Sequence, residues 1–75
     1  MKQLTQADFN SAPSWAVRLA VDEDGTAFAF SVTDTFIFKP HGTHCCGEGF
    51  KFKRFGRGYD ASNWENSAID KEVLK

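Results

Sequence analysis

The stretch that decides the fold runs from Trp15 to Phe38 and reads WAVRLAVDEDGTAFAFSVTDTFIF. Alternating residues flank an acidic turn, Asp22–Gly25, and this pattern predicts a β-hairpin. We expect the larger side chains to share one face, namely Val17, Leu19, Val21, Phe28, Phe30 and Val32. The other face would carry mostly small residues, namely Ala16, Arg18, Ala20, Ala27, Ala29 and Ser31. A one-residue slip would exchange the two faces, so the pattern also predicts the register.

Further strand signals follow the hairpin. The segment Thr35–Phe38 predicts a third strand or an extension of the second, and Pro40 ends it because proline has no N–H to donate. The segment 41–49 holds three glycines and is expected to be a loop. Alternation resumes at Phe50–Lys53, which predicts a strand with its phenylalanines inward and its lysines outward.

Capping patterns predict a short helix at each end. Thr5 and Asp8 match a capping box, and Pro13 limits this first helix or begins a second helical turn. Ser62 with Glu65 predicts a final helix that runs to about Val73. Its sheet-facing side chains would be Trp64, Ala68 and Ile69. The expected fold is α+β: a small antiparallel sheet of three or four strands, with short N- and C-terminal helices packed on one face.

The composition is that of one small globular domain spanning residues 1–75. A chain of this size buries only about 60% of its unfolded surface, so its core must be rich in large side chains. Eight Phe, two Trp and one Tyr supply them. No apolar run is long enough to span a membrane, and the N-terminus lacks the apolar core of a signal peptide. The adjacent Cys45 and Cys46 are poor disulfide partners, so we expect a reduced, cytoplasmic protein.

The charges are unevenly distributed along the chain. Residues 1–38 carry a net charge of −3, residues 39–58 carry +4, and residues 59–75 carry −2. A basic middle between acidic ends is the main electrostatic feature of the sequence.

No pattern of catalytic or metal-binding residues meets its geometric requirements. The acidic turn fails as a calcium loop because Ala20 and Ser31 would occupy positions that require carboxylates. Four zinc-ligand types cluster at His41, His44, Cys45 and Cys46, but four ligands this close would bring their backbones into conflict around the ion. We therefore predict no enzymatic activity, no metal site and no cofactor.

Aromatic and basic residues alternate over 50–59, which reads FKFKRFGRGY. Such a strand suits single-stranded nucleic acid, whose bases stack on aromatic rings and whose phosphates meet cations. The candidate partner-binding residues are Lys51, Lys53, Arg54, Phe55, Arg57 and Tyr59. The competing interpretation places Phe50 and Phe52 in the core, and the acidic flanks favour it because they repel phosphate.

Two motifs resemble small accessory proteins encoded by tailed bacteriophages, a family of unknown function. The first comprises Trp15-Ala16 followed by the segment 20–25, AVDEDG, and the second is the segment 59–67, YDASNWENS. They lie in the N-terminal third and the C-terminal fifth of the chain. The resemblance implies a phage product that acts in the host cytoplasm, and it implies nothing about enzymatic activity.

Two functions follow as expectations. The first is a non-enzymatic phage-type accessory protein that binds and modulates a host protein, because the chain combines a compact core with segregated charge. The alternative is a single-stranded nucleic-acid-binding protein that uses the basic and aromatic strand 50–59. No membrane partner is expected, and the sequence leaves the partner's identity and the oligomeric state open.

Overall fold

The computed structural model describes residues 2–72 and contains the predicted hairpin. Strand β1 (Arg18–Val21) pairs antiparallel with strand β2 (Ala27–Phe30). The Asp22 N–H donates to the Thr26 C=O at 2.8 Å and closes a three-residue loop. Gly25 ends this loop with φ of 85°, a value that L side chains rarely adopt.

Four further strands complete two antiparallel sheets. The remaining strands are β3 (Thr35–Phe38), β4 (Thr43–Cys46), β5 (Phe52–Gly56) and β6 (Ile69–Asp70). The larger sheet has the order β5-β2-β1-β6, and β3 pairs with β4 in a second, two-stranded sheet. Residues 2–72 also contain three 3-10 turns, one before β1 at Gln6–Asn10, one between β3 and β4 at Lys39–His41, and one between β5 and β6 at Trp64–Asn66.

The predicted α+β class is wrong, because residues 2–72 contain six strands and no α-helix. At the N-terminus the predicted capping box does form, with the Thr5 N–H donating to Asp8 Oδ2 at 2.8 Å. The turn nevertheless ends at Asn10, since Pro13 disfavours helical geometry at Ala12 and one turn is too short to propagate. Within residues 2–72, no helix is long and apolar enough to cross a membrane.

The predicted C-terminal helix is replaced by one 3-10 turn and strand β6. Ser67 Oγ accepts the Val21 N–H at 2.9 Å and donates to the Trp64 C=O at 2.7 Å. The Arg18 guanidinium then holds the Asp70 carboxylate of β6 through two bonds, of 2.6 and 3.2 Å. Pairing with β1 satisfies this segment's polar groups better than a short isolated helix would. The predicted end, Val73, lies outside the described residues.

The hairpin register differs from the prediction by one residue. The three-residue loop pairs Leu19 with Ala29 and Val21 with Ala27, so large side chains lie opposite small ones. Phe28 accordingly lies opposite Ala20 on the other face of the sheet. Because a one-residue shift moves a whole strand's pattern to the opposite face, the two rows of large side chains occupy different faces.

Both faces of the hairpin are therefore covered. The N-terminal segment and the residues after β5 pack on the Leu19 face, where the core consists of Phe9, Ala16, Leu19, Val21, Ala27, Ala29 and Tyr59. On the other face, Phe30 is only 1% exposed. The β3–β4 hairpin is tied to β1 on that face by the Arg18 guanidinium, which donates to Thr35 Oγ1 at 2.8 Å. Trp15 and Trp64, predicted to be largely buried, are each partly buried.

Replacing Phe30 by Ala should lower the free energy of unfolding by about 3–5 kcal/mol, because it empties a fully buried site. The matched substitution Phe52→Ala, at the facing position on β5, should cost less than about 1 kcal/mol because that ring is 62% exposed. Denaturant titration of both variants measures the difference, and Phe30→Leu provides a milder version should the Ala variant not fold. Equal losses at the two positions would contradict the assigned register.

Candidate functional site

Strand β5 and its flanks carry the predicted partner-binding residues, and the structure divides them into two groups. The four cations Lys51, Lys53, Arg54 and Arg57 are exposed, whereas Phe55 is partly buried and Tyr59 is buried. Within residues 2–72 none of the four cations lies within 4.0 Å of a carboxylate. The cations thus form an accessible basic surface without two of the aromatic rings that were assigned to it.

Tyr59 belongs to the core and not to a stacking surface. It is 5% exposed, and its hydroxyl donates to Asp8 Oδ1 at 2.9 Å. Lys2 Nζ lies 4.5 Å from the ring centroid, and the Tyr59 N–H donates to the Gly25 C=O at 3.1 Å. Burial, together with the bond to Asp8 and its charge, raises the pKa of Tyr59 to about 12.

Phe55 turns inward because the β5 ladder is irregular at this point. The register between β2 and β5 shifts between Ala27 and Phe28, which leaves Phe55 as the extra residue of a β-bulge. Its ring packs against the core residues on the Leu19 face and meets Tyr59 edge-on, with ring centroids 6.3 Å apart.

Phe50 and Phe52 were predicted to be inward-facing, and this prediction is wrong. They are 51% and 62% exposed, and Phe52 lies beside Phe28 with ring centroids 6.5 Å apart. The sequence did contain a signal of this. Consecutive strand residues point to opposite faces, so the neighbours Lys53 and Arg54 place a charge on both faces of β5. A strand with a charge on each face is unsuited to a buried position.

We define the β5 surface as the exposed residues Phe50, Lys51, Phe52, Lys53, Arg54 and Arg57. In the part of the chain that the structure describes, β5 is an edge strand with β2 as its single neighbour. Asp24 lies close enough for the charge of Arg54 to act on it. The pKa of Asp24 is lowered, chiefly by the hydrogen bond from the Thr26 N–H and to a smaller extent by Arg54. The surface is therefore basic, aromatic and open along one side.

The predicted 41–49 loop is partly strand, since β4 occupies four of its residues. His44 is buried within it, with ring Nε2 2.7 Å from the Trp64 carbonyl oxygen. His41 instead stacks on the exposed Phe38, with ring centroids 5.0 Å apart. The two cysteines are free thiols, and burial raises the pKa of Cys46. No group of three side chains suited to a metal ion occurs within residues 2–72.

Asp22, which was expected to be one of the residues of an acidic hairpin turn, is a buried carboxylate. It is 5% exposed, and its Oδ1 accepts the His44 N–H at 3.1 Å. Desolvation raises its pKa, and the hydrogen bond from His44 opposes this only in part. Through this bond the residue joins the hairpin turn to β4.

A second exposed aromatic pair lies on the β3–β4 hairpin. Phe36 and Phe38 alternate with inward-facing residues and are 53% and 40% exposed. Cys45 stands opposite Phe36 in the ladder. The sequence predicted the strand without indicating which of its faces would be exposed.

Comparison of the chain with protein families, with curated proteins and with solved structures gives no match.

Titration of Tyr59, the single tyrosine of the chain, tests directly whether its hydroxyl is buried in the core. Tyrosinate absorbance should titrate with a midpoint near pH 12 in the folded protein and near 10 in denaturant. Because the pKa of Tyr59 is higher in the folded protein than in the unfolded chain, the contribution of Tyr59 to stability is complete below pH 10. This contribution is lost as the pH rises to about 12. Tyr59→Phe should remove this part of the pH dependence. A folded midpoint near 10 would show that the hydroxyl is exposed.

Asp22→Asn should raise the melting temperature at neutral pH, because the amide keeps an oxygen for the His44 N–H without a buried charge. Because the pKa of Asp22 is raised in the folded protein, protonation of this carboxylate favours folding. The free energy of unfolding is therefore greatest at pH values below the ordinary pKa of Asp22, and it falls as the pH rises through the raised pKa. The gain should accordingly vanish as the pH falls into the acid range. Melting curves across pH compare the two proteins, and an equal gain at every pH would contradict the argument.

Proposed function

We propose that this chain is a non-enzymatic, phage-type accessory protein that binds a host protein through the β5 surface and modulates it. The observation that carries the proposal is the exposure of two phenylalanines among four cations on an open edge strand and its flanks, where none of the four pairs with a carboxylate within residues 2–72. An exposed apolar patch rimmed by charge is typical of an interaction site.

The composition of the β5 surface suits a protein partner. Phenylalanine and arginine are enriched in protein interfaces, and a few such residues supply most of the binding energy. Phe52 is the strongest candidate for such a residue, because the partly buried Phe28 supports its ring from one side.

The charge of the surface indicates an acidic partner. The segment 39–58 carries +4 while the segments on either side are acidic, so the attraction is confined to one region of the molecule. Such a field accelerates encounter with a negatively charged patch and selects against basic partners. The host cytoplasm remains the proposed location, and the phage-type motifs support it.

A second candidate function is binding to single-stranded nucleic acid. The observation that favours it is again Phe50 and Phe52, which are exposed and alternate with lysines along the strand. Against it, Phe55 and Tyr59 belong to the core, which halves the number of rings available for stacking. The net charge of −1 also gives little long-range attraction to phosphate.

Capture from bacterial host lysate should separate the two functions. We expect a specific protein to be retained by the wild-type chain, with and without nuclease, and to be lost with Phe52→Ala or with the Lys53→Glu/Arg54→Glu variant. The Phe52→Ala loss should be about tenfold or more in affinity, the usual effect of removing a dominant interface residue. Lys71→Glu is the matched control, because it makes the same kind of charge change beyond β6, at the opposite edge of the sheet.

Titration with a fluorescently labelled oligo-dT provides the opposing measurement. Protein binding predicts no complex tighter than about 1 μM, the tight end of the nonspecific range, at physiological ionic strength. A clearly tighter complex that weakens steeply with salt, together with capture that nuclease abolishes, would refute the proposal in favour of nucleic-acid binding.

A further inference from the structure

We infer that the partner binds by strand addition: an extended, acidic segment of the partner pairs with the outer edge of β5 and lengthens the sheet. The inference rests on the proposed function and specifies the chemistry and the geometry of its partner. Main-chain hydrogen bonds would supply affinity, and the alternating side chains of β5 would supply specificity.

In the part of the chain that the structure describes, the backbone of β5 presents unpaired N–H and C=O groups along its outer edge. On the inner side, Ser31 donates its N–H to the Lys51 C=O at 3.0 Å, and Lys53 stands opposite Ala29. Residues of an antiparallel ladder that bond to one neighbour alternate with residues whose backbone groups face the other way. The N–H and C=O groups of Phe52 and Arg54 therefore face outward. Those of the lysines face inward, towards β2 and the following Ser31, whose Oγ accepts the Lys51 N–H at 2.9 Å.

The opposite edge of the same sheet is closed by a side chain. On β6, the Gln6 amide Nε2 donates to the Asp70 C=O at 2.7 Å, and Gln6 Oε1 accepts the Glu72 N–H at 3.0 Å. One glutamine thus takes the bonds that an added strand would make there. Edge strands are commonly blocked in this manner against unwanted pairing, and β5 has no such block in the described chain.

Charge selects the occupant of the open edge. A second copy of this chain pairing antiparallel through its own β5 would bring at least one cation directly opposite another in each register centred on Phe52, Lys53 or Arg54, which is unfavourable. An acidic strand would instead place carboxylates beside Lys53. Side chains alternate, so carboxylates belong on the face of Lys51 and Lys53, and an apolar residue belongs beside Phe52 on the other face.

The β-bulge at Phe55 sets the length of the pairing. Beyond it, Gly56 and Gly58 lead the chain away towards Tyr59, and Gly58 has φ of 79°. A bulge bends its strand and ends regular pairing, so the added strand should be centred on Phe52–Arg54.

The probe is a capped peptide of four Val-Glu repeats, which places valines on one face and carboxylates on the other. On adding it to the full ¹⁵N-labelled chain, we expect the amides of Phe52 and Arg54 to exchange with solvent at least tenfold more slowly at saturation. The amides of Lys51 and Lys53 should change little, because they face β2. A Val-Lys peptide of equal length serves as the charge control and should not bind.

Blocking the backbone tests the mode of binding. The Val-Glu peptide can be N-methylated either at every valine or at every glutamate. Of these two peptides, the one whose methyl groups replace the N–H groups facing β5 should bind at least tenfold more weakly than the unmethylated peptide. On the protein, Arg54→Pro removes an outward N–H while Arg54→Gln removes only the charge, so the proline variant should lose more affinity. The N-methylated peptides carry the same test should the proline variant not fold.

Three results would overturn the inference: no binding of the Val-Glu peptide up to millimolar concentration, binding without slowed exchange at Phe52 and Arg54, or equal binding of both N-methylated peptides. Each leaves nuclease-resistant capture of a host protein intact, since docking could then use the β5 side chains alone. Failure of the proposed function is a separate result, recognised by capture that nuclease abolishes.

Discussion

The loop Glu23–Gly25 is the constraint on which the rest of this structure depends. Its three residues, and not two or four, fix which residues of β1 and β2 face one another. Its groups also reach the surrounding segments: the Glu23 N–H donates to the Gly42 C=O at 2.9 Å, and the Gly25 C=O accepts the Tyr59 N–H at 3.1 Å. A Cβ on Gly25 would come within 2.8 Å of the Tyr59 carbonyl oxygen, so glycine is required there both for φ and for space. Hairpin register, β4 and the segment after β5 are thereby positioned by one turn.

The loop length also explains how a correct hairpin prediction gave an incorrect core. Alternation in the sequence located both strands and the turn, since these are local properties. The Asp-Gly signal could not distinguish a three-residue loop from a four-residue one, and that difference of one residue exchanges the faces of β2 relative to β1. Phe28 and Phe30 were consequently assigned to the face of Leu19, and the structure places them on the other.

Long-range pairing explains why both predicted helices failed. The Thr5–Asp8 capping box forms as predicted, yet Asp8 also accepts the Tyr59 hydroxyl. Ser67, which was placed within the second helix, bonds to the Val21 backbone instead. Capping signals describe only a few residues, and a helix of one or two turns has little stability without a packed face. These partners lie more than 40 residues away in the chain, so no local pattern contains them.

The same distinction applies to the candidate site. The exposure of its cations could be predicted from the sequence, because a strand with charges on both faces must be exposed. The burial of Tyr59 and Phe55 could not be predicted, because it depends on the bulge and on the core around them. Whether a strand lies at an edge depends on the order of strands in the sheet, which is a property of the whole fold. Here that order leaves β5 outermost, while Gln6, from the other end of the chain, occupies the edge at β6. In the described chain, the added strand that we propose then has a single side of the larger sheet available, and the cations along that side favour an acidic partner.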